Sequence, residues 1–332
     1  MQRRTLPVLI GLALLAGSAC SQDQGPLLVG LPYSDYAHEQ EPFAEALYAE
    51  HATQIPTPAD PELFFVTGDA DLRYTHIDDG ARRTPTAVEG EPMVWFFGGS
   101  TMFGIGQRDE HTIASEVARL ASSAGLPIDV RNHGVSAYVA WQEAGLLARR
   151  LATEERPDLI VFLHGVNNHS QLCRHLAAGV SPLARTNPLT DGEIAEQAGP
   201  PEVDCAADPD ASGRAIAEVV DTAMAEAADH ADGVPIVEFW QATPQTRAPS
   251  PSDDELMDRL SEDRPTFDRH AAVYRAAIAA DRTPGIDLTD VFDDHEGPVF
   301  FDWAHTNEIG ARIVAEAMWD RALRRQVQQL AE

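Results

Sequence analysis

Lysine is absent from this chain of 332 residues: all 24 basic side chains are arginine, set against 53 carboxylates for a net charge of −29. Phosphate binding needs clustered cations, so this balance argues against nucleic acid as a partner. It argues equally against a polybasic membrane patch. The acidity reads as solubility, not as a site. Cysteine is scarce, with Cys20, Cys173 and Cys205 alone, and aromatic residues make up 7%. The one long apolar run, residues 6–16, is short for a membrane span. Internal repeats and low-complexity tracts are missing. What remains is a hydrophobic content of 44%, enough for a real core in one large domain or two small ones.

Arg3 and Arg4 precede the apolar run, and Gly17-Ser18-Ala19-Cys20 follows it. This is the charged, apolar, small-residue order of a secretory signal. Small residues before a lone cysteine look like a lipoprotein signal in which Cys20 becomes an acylated N-terminus. Secretion after Ala19 is the alternative, and Arg3-Arg4-Thr5-Leu6 also permits twin-arginine export. The expected location is therefore outside the cytoplasm, with a membrane contact only through a lipidated Cys20. Cys173 and Cys205 are then an even pair in an oxidising compartment, within the irregular stretch 170–212. They are predicted to form a disulfide, with two unrelated buried thiols as the alternative.

The expected organisation is a signal over 1–20, a tether over 21–27, an irregular N-terminal segment packing on the main domain over 28–90, and that domain over 91–330 with a loop insertion at 169–212. A helix is expected near 41–51. From residue 93 a strand–helix alternation begins, with strands at 93–97, 128–132, 159–163, 234–240 and 286–291. Helices are expected at 112–124, 140–151, 213–229, 253–260, 265–280 and 307–330, the last capped by Thr306 or Asn307. Short, continuously apolar strands alternating with helices mean a parallel sheet covered on both faces. Ligands in such sheets sit beyond the carboxyl ends of the strands. Ser100, Gly134 and Asn167 each follow a strand directly.

Gly98-Gly99-Ser100-Thr101 offers a serine on a glycine-rich turn. A plain strand-to-helix turn fits as well. A phosphate cradle fits less well, because no lysine is available to it. Asp302-Trp303-Ala304-His305 offers a carboxylate and an imidazole three apart, able to share one side of a turn. A carboxylate on one ring nitrogen fixes the tautomer and frees the other to take a serine proton. A surface Asp and a capping His are the alternative. The N–H groups of Ser100 and Gly134 and the amide of Asn167 are candidate donors to an oxyanion, although Asn after a strand also suits a turn.

In order and spacing, Ser100, Gly134, Asn167 and His305 resemble the four blocks of the SGNH hydrolase family, the GDSL-like esterases and lipases. Arg73-Tyr74 through Gly80-Ala81-Arg82 resembles the segment before the first strand in an exported branch whose serine block reads G-G-S-T. Asn132 to Tyr138, with Gln142-Glu143, looks like that branch's second block. The resemblance covers about residues 70–325. It departs at Gly99, where the name-giving motif has Asp, and at Asn168, where the third block usually has Asp. It implies a three-layer α/β/α flavodoxin-like fold with a mostly parallel five-stranded sheet, and hydrolysis of esters or thioesters through an acyl-serine. It also implies Ser100 as nucleophile, His305 as base, Asp302 as its orienter, and Ser100, Gly134 and Asn167 as the oxyanion hole, without metal or cofactor.

His164, His169, Cys173 and His175 crowd together like zinc ligands. Asn167 among them, and the disulfide expected of Cys173, argue against that reading. Trp141, Trp240 and Trp303 are expected in packing more than in a pocket. The expected activity is an exported serine esterase acting on a small-molecule or envelope ester. The rivals are an envelope O-acyltransferase using the same triad and a catalytically silent binding protein.

Overall fold

The computed structural model describes residues 46–47, 50–190, 205–250, 256, 264–283 and 285–331. The signal-like segment with Cys20, the tether, and nearly all of the expected helix 253–260 lie outside the described residues. Strands β1 (Ala59–Asp60) and β2 (Phe64–Phe65) form a small antiparallel pair. The main sheet contains β3 (Ala70–Asp71), β4 (His76–Asp78), β5 (Ala81–Arg82), β6 (Met93–Gly98), β7 (Asp129–Asn132), β8 (Leu159–His164), β9 (Ile236–Trp240) and β10 (Ile286–Asp287). Their order is β10-β9-β8-β6-β7-β5-β4-β3.

The five strands from β10 to β7 run parallel, and β5, β4 and β3 extend that edge antiparallel. The sheet thus has eight strands, not the five expected. The extra three are two or three residues long and lie in the stretch read as irregular. Counted among themselves, the parallel strands follow the flavodoxin-like order 2-1-3-4-5. The reversal falls at β6, so a crevice opens between β6 and β8 beyond their carboxyl ends.

The α-helices are α1 (Ser100–Phe103), α2 (Ile113–Ser123), α3 (Ala140–Thr153), α4 (Val166–Ala177), α5 (Pro209–Ala231), α6 (Arg264–Ala280), α7 (Glu308–Met318) and, after a π-helical turn, α8 (Arg324–Leu330). Successive strand side chains point to opposite faces, which splits the core in two. Val94, Phe96, Val161 and Leu163 pack with Val117 of α2 and Val314 of α7. Trp95, Phe97, Ile160 and Phe162 pack with Leu147 of α3, Val220 of α5 and Val273 of α6. Burying each such side chain contributes about 1.5–3 kcal/mol. Local signals set the ends: the Thr112 side chain accepts from Ser115 N–H at the start of α2, and that of Asn307 from Gly310 N–H at the start of α7. Among the described residues no helix is long and apolar enough to cross a membrane.

One charged cluster interrupts the second core. His164, at the end of β8, sits between Glu143 of α3 (Nδ1 to Oε2, 3.2 Å) and Glu238 of β9 (Nε2 to Oε1, 2.8 Å). Burial alone would depress the imidazole, but hydrogen bonds and charge from both carboxylates outweigh it and hold its pKa at about 10. Burial also raises the Glu143 carboxyl, which acts in the same sense. A folded value above the unfolded value of about 6.5 means the stabilisation is complete below about pH 6.5. It is lost as pH climbs through about 10. The chain has no lysine to titrate over the same range. The urea midpoint is therefore expected to fall between pH 7 and pH 10, and to fall less in Glu238→Gln. An unchanged midpoint would contradict the charged cluster.

Candidate active site

β6 leads straight into the serine turn. A Cβ on Gly98 would overlap the Leu163 carbonyl of β8, and one on Gly99 would overlap the Asn167 amide. Both glycines are there for close approach. Gly104, with φ of +93°, ends α1 after one turn. Thr101, Met102 and Phe103 are buried and anchor it, while Ser100 at its start remains half-buried.

The loop before α7 brings the other two groups. Asp302 Oδ1 accepts from the N–H groups of Ala304 (2.8 Å) and His305 (2.7 Å). Its Oδ2 accepts from His305 Nδ1 at 2.6 Å. With Nδ1 carrying the proton, His305 Nε2 is the acceptor, and Ser100 Oγ donates to it at 2.6 Å. The ring stacks on Phe301, centroids 5.7 Å apart at 15°. Ser100, His305 and Asp302 are thus brought together in one relay.

Asn167 lies beside the serine at the start of α4. One of its two amide hydrogens goes to the Tyr138 carbonyl at 2.8 Å, leaving the second. Ser100 opens a helix, so its N–H has no intrahelical acceptor. Gly134 is corrected. Its N–H donates to the Asn132 side chain at 3.0 Å, and a Cβ there would overlap the backbone of Met102 and Phe103. It is a packing glycine under α1, not a free donor. Sequence reasoning missed Ala137, the third residue of a turn closed by Tyr138 N–H to the Val135 carbonyl at 3.2 Å. Its φ is +66°, a region that costs an L-residue about 1 kcal/mol. The Ala137 N–H meets no acceptor among the described residues.

The model of the GDSL-like lipase/acylhydrolase family matches residues 96–313, which include the serine turn, Asn167 and the Asp302–His305 loop. The chain belongs to this family. It is an ester-hydrolysing serine hydrolase. An acetyl xylan esterase is similar to it in structure, at 17% identity and TM-score 0.41, over 70% of this chain and 100% of the other. A family 3 carbohydrate esterase from Clostridium thermocellum is similar at 15% identity and TM-score 0.40, over 73% of this chain and 100% of the other. Among curated proteins, none matches the hydrolase in sequence.

In this GDSL-like hydrolase the serine and histidine loops are joined by struts that motif reading did not foresee. Gln107 Nε2 donates to the carbonyl and hydroxyl of Thr306 at 3.0 and 3.1 Å. Arg108 holds Glu308 through two bonds of 2.8 Å. Beneath them Arg82 is fully buried. It donates to Asp109 (2.9 Å) and to the carbonyls of Phe103 (2.9 Å), Gly104 (2.7 Å) and Gln107 (2.6 Å). Burial, then the neighbouring Arg82 guanidinium, hold the His51 imidazole well below its ordinary pKa. Neutral His51 accepts the Gly106 N–H on Nδ1 at 3.0 Å. His51 and Arg82 thus support the backbone 103–107 that follows the serine turn.

Cys173 and Cys205 form the expected disulfide. Its loop of 32 residues corresponds to about 3–4 kcal/mol of lost unfolded-state entropy. The stretch read as a loop insertion begins as helix α4. Of the histidines that looked like zinc ligands, His164 goes to its two glutamates and His175 Nε2 bonds Thr186 Oγ1 at 2.7 Å. His169 faces His270 of α6, and burial, followed by His270, lowers its pKa to about 3. Trp240 and Trp141 are buried, as expected of packing residues, while Trp303 is half-buried within the Asp302–His305 loop.

Proposed function

We propose that the protein is an exported serine esterase that hydrolyses carboxylic esters, acyl or acetyl, through an acyl-serine. The observation that carries this reading is the relay of 2.6 Å from Ser100 Oγ to His305 Nε2 and 2.6 Å from His305 Nδ1 to Asp302. Ser100 Oγ attacks the ester carbonyl carbon while His305 Nε2 takes its proton. Asp302 holds the imidazolium. The oxyanion is stabilised by the Ser100 N–H, the second hydrogen of the Asn167 amide and the Ala137 N–H, which takes the place first expected of Gly134. His305 returns the proton to the leaving alkoxide. Water then attacks the acyl carbon with His305 again as base, the carbon–Oγ bond breaks, His305 returns the proton to Ser100 Oγ, and the carboxylic acid leaves and ionises.

Export and a lipid on Cys20 are part of the proposal. They are supported by the order of residues in 1–20 and by a disulfide of the kind that persists in oxidising compartments. The test uses purified mature protein, a fluorophosphonate probe and p-nitrophenyl esters of graded acyl length beside acetylated sugars. Labelling at Ser100 and ester turnover are expected. Absence of both would leave the binding-protein reading standing.

A further inference from the structure

Where α4, the chain before α5, and α6 meet, four metal-ligating side chains converge that the esterase reading does not use. His169 and Cys173 are four apart on α4 and so share one helix face. Cys205 precedes α5, and His270 comes from α6. One ligand atom from each lies within 4.8 Å of every other. His169 Nε2 and His270 Nδ1 are 3.3 Å apart. That separation is long for a hydrogen bond. It matches the edge of a tetrahedron whose metal–nitrogen bonds are about 2.0 Å, which is ~3.3 Å.

The set differs from the one the sequence suggested. His164 and His175 are engaged elsewhere, and Cys205 and His270 replace them. Two imidazoles and two sulfurs form a donor set for zinc, not for calcium or magnesium, which take oxygen, and once the S–S bond is broken the sulfurs must move apart to reach tetrahedral positions. The sulfurs are bonded to each other, and a ligand sulfur must be a thiolate. Two-electron reduction breaks the S–S bond and yields two thiols, the reductant being a dithiol that becomes its own disulfide or a phosphine that, with one water, becomes its oxide. Metal binding then releases their two protons.

We infer that reduction of the Cys173–Cys205 disulfide converts this cluster into a tetrahedral zinc site of His169, Cys173, Cys205 and His270. The disulfide and the metal are alternative clasps for the same three segments, α4, the chain before α5, and α6. The site is independent of whether the esterase proposal holds, because none of its ligands belongs to the relay.

The test takes the purified full chain, oxidised or reduced with a phosphine and desalted without air, and titrates it with Co²⁺ and then Zn²⁺. The reduced protein is expected to bind one equivalent of Co²⁺ with a thiolate-to-metal absorption band and tetrahedral d–d bands, displaced by Zn²⁺. The oxidised protein is expected to show neither. His270→Ala and His270→Gln, checked for helix content by circular dichroism, are each expected to weaken binding at least tenfold. Equal binding by the two redox forms, wild-type affinity in a folded His270 variant, or loss of the helical signal on reduction before metal is added would each overturn the inference.

Discussion

Ser100→Ala is expected to lower kcat for a p-nitrophenyl ester by about 10⁴–10⁶-fold with little change in KM, because it removes the attacking oxygen and nothing that binds substrate. Asp302→Asn is expected to cost about 10⁴-fold. The carboxylate oxygen that accepts from His305 Nδ1 would be exchanged for an amide, so the imidazole would settle with its proton on Nε2, facing Ser100. Asparagine can still accept from the N–H groups of Ala304 and His305, so the loop should keep its shape. Steady-state kinetics with parallel thermal unfolding check both variants. A fall of less than tenfold in either, with unfolding unchanged, would remove that residue from the relay.

The second large effect is on stability. Arg82→Met is expected to destabilise the fold by about 3–5 kcal/mol, the range for breaking a buried pair from one side. It would take the arginine partner from Asp109 Oδ1, leaving that buried carboxylate only His76 on Oδ2, and leave the carbonyls of Phe103, Gly104 and Gln107 without this donor. Arg82→Lys should recover only part, since one ammonium cannot reproduce a planar fork with donors on several sides. Urea unfolding followed by tryptophan fluorescence measures both. Arg82→Met within 1 kcal/mol of wild type would show the clamp to be ornamental.

Much of this was legible in the residues. The apolar runs at 93–97 and 159–163 announced buried parallel strands, because such strands need no polar face. Ser100, Asp302 and His305 could be named because their chemistry is carried by side chains that the sequence spells out. The cysteine pair followed from counting. Backbone donors were harder. Whether the Gly134 N–H is free depends on the Asn132 side chain folding back onto it, and no spacing shows that. Ala137 held at positive φ lacked the glycine that normally marks such a position. Strands β3 to β5 are too short to have a period, and they exist because β7 offers an edge to pair with. Arg82 stands out only as part of a segment resembling the family, and nothing in the sequence marks it as a buried clamp, since arginine is almost never fully buried unless paired. Its partners lie 21 to 27 residues away in a loop with no regular pattern.

The struts between Gln107-Arg108 and Thr306-Glu308 join residues 199 and 200 positions apart. A ribosome delivers the serine turn long before the loop that carries its base, and early segments begin to fold while later ones are still being made. Throughout that interval Ser100 has no imidazole beside it and is an ordinary alcohol. Catalytic competence therefore requires that the Asp302–His305 loop has docked on the serine turn, and a chain in which those two distant segments have not met is inert toward esters.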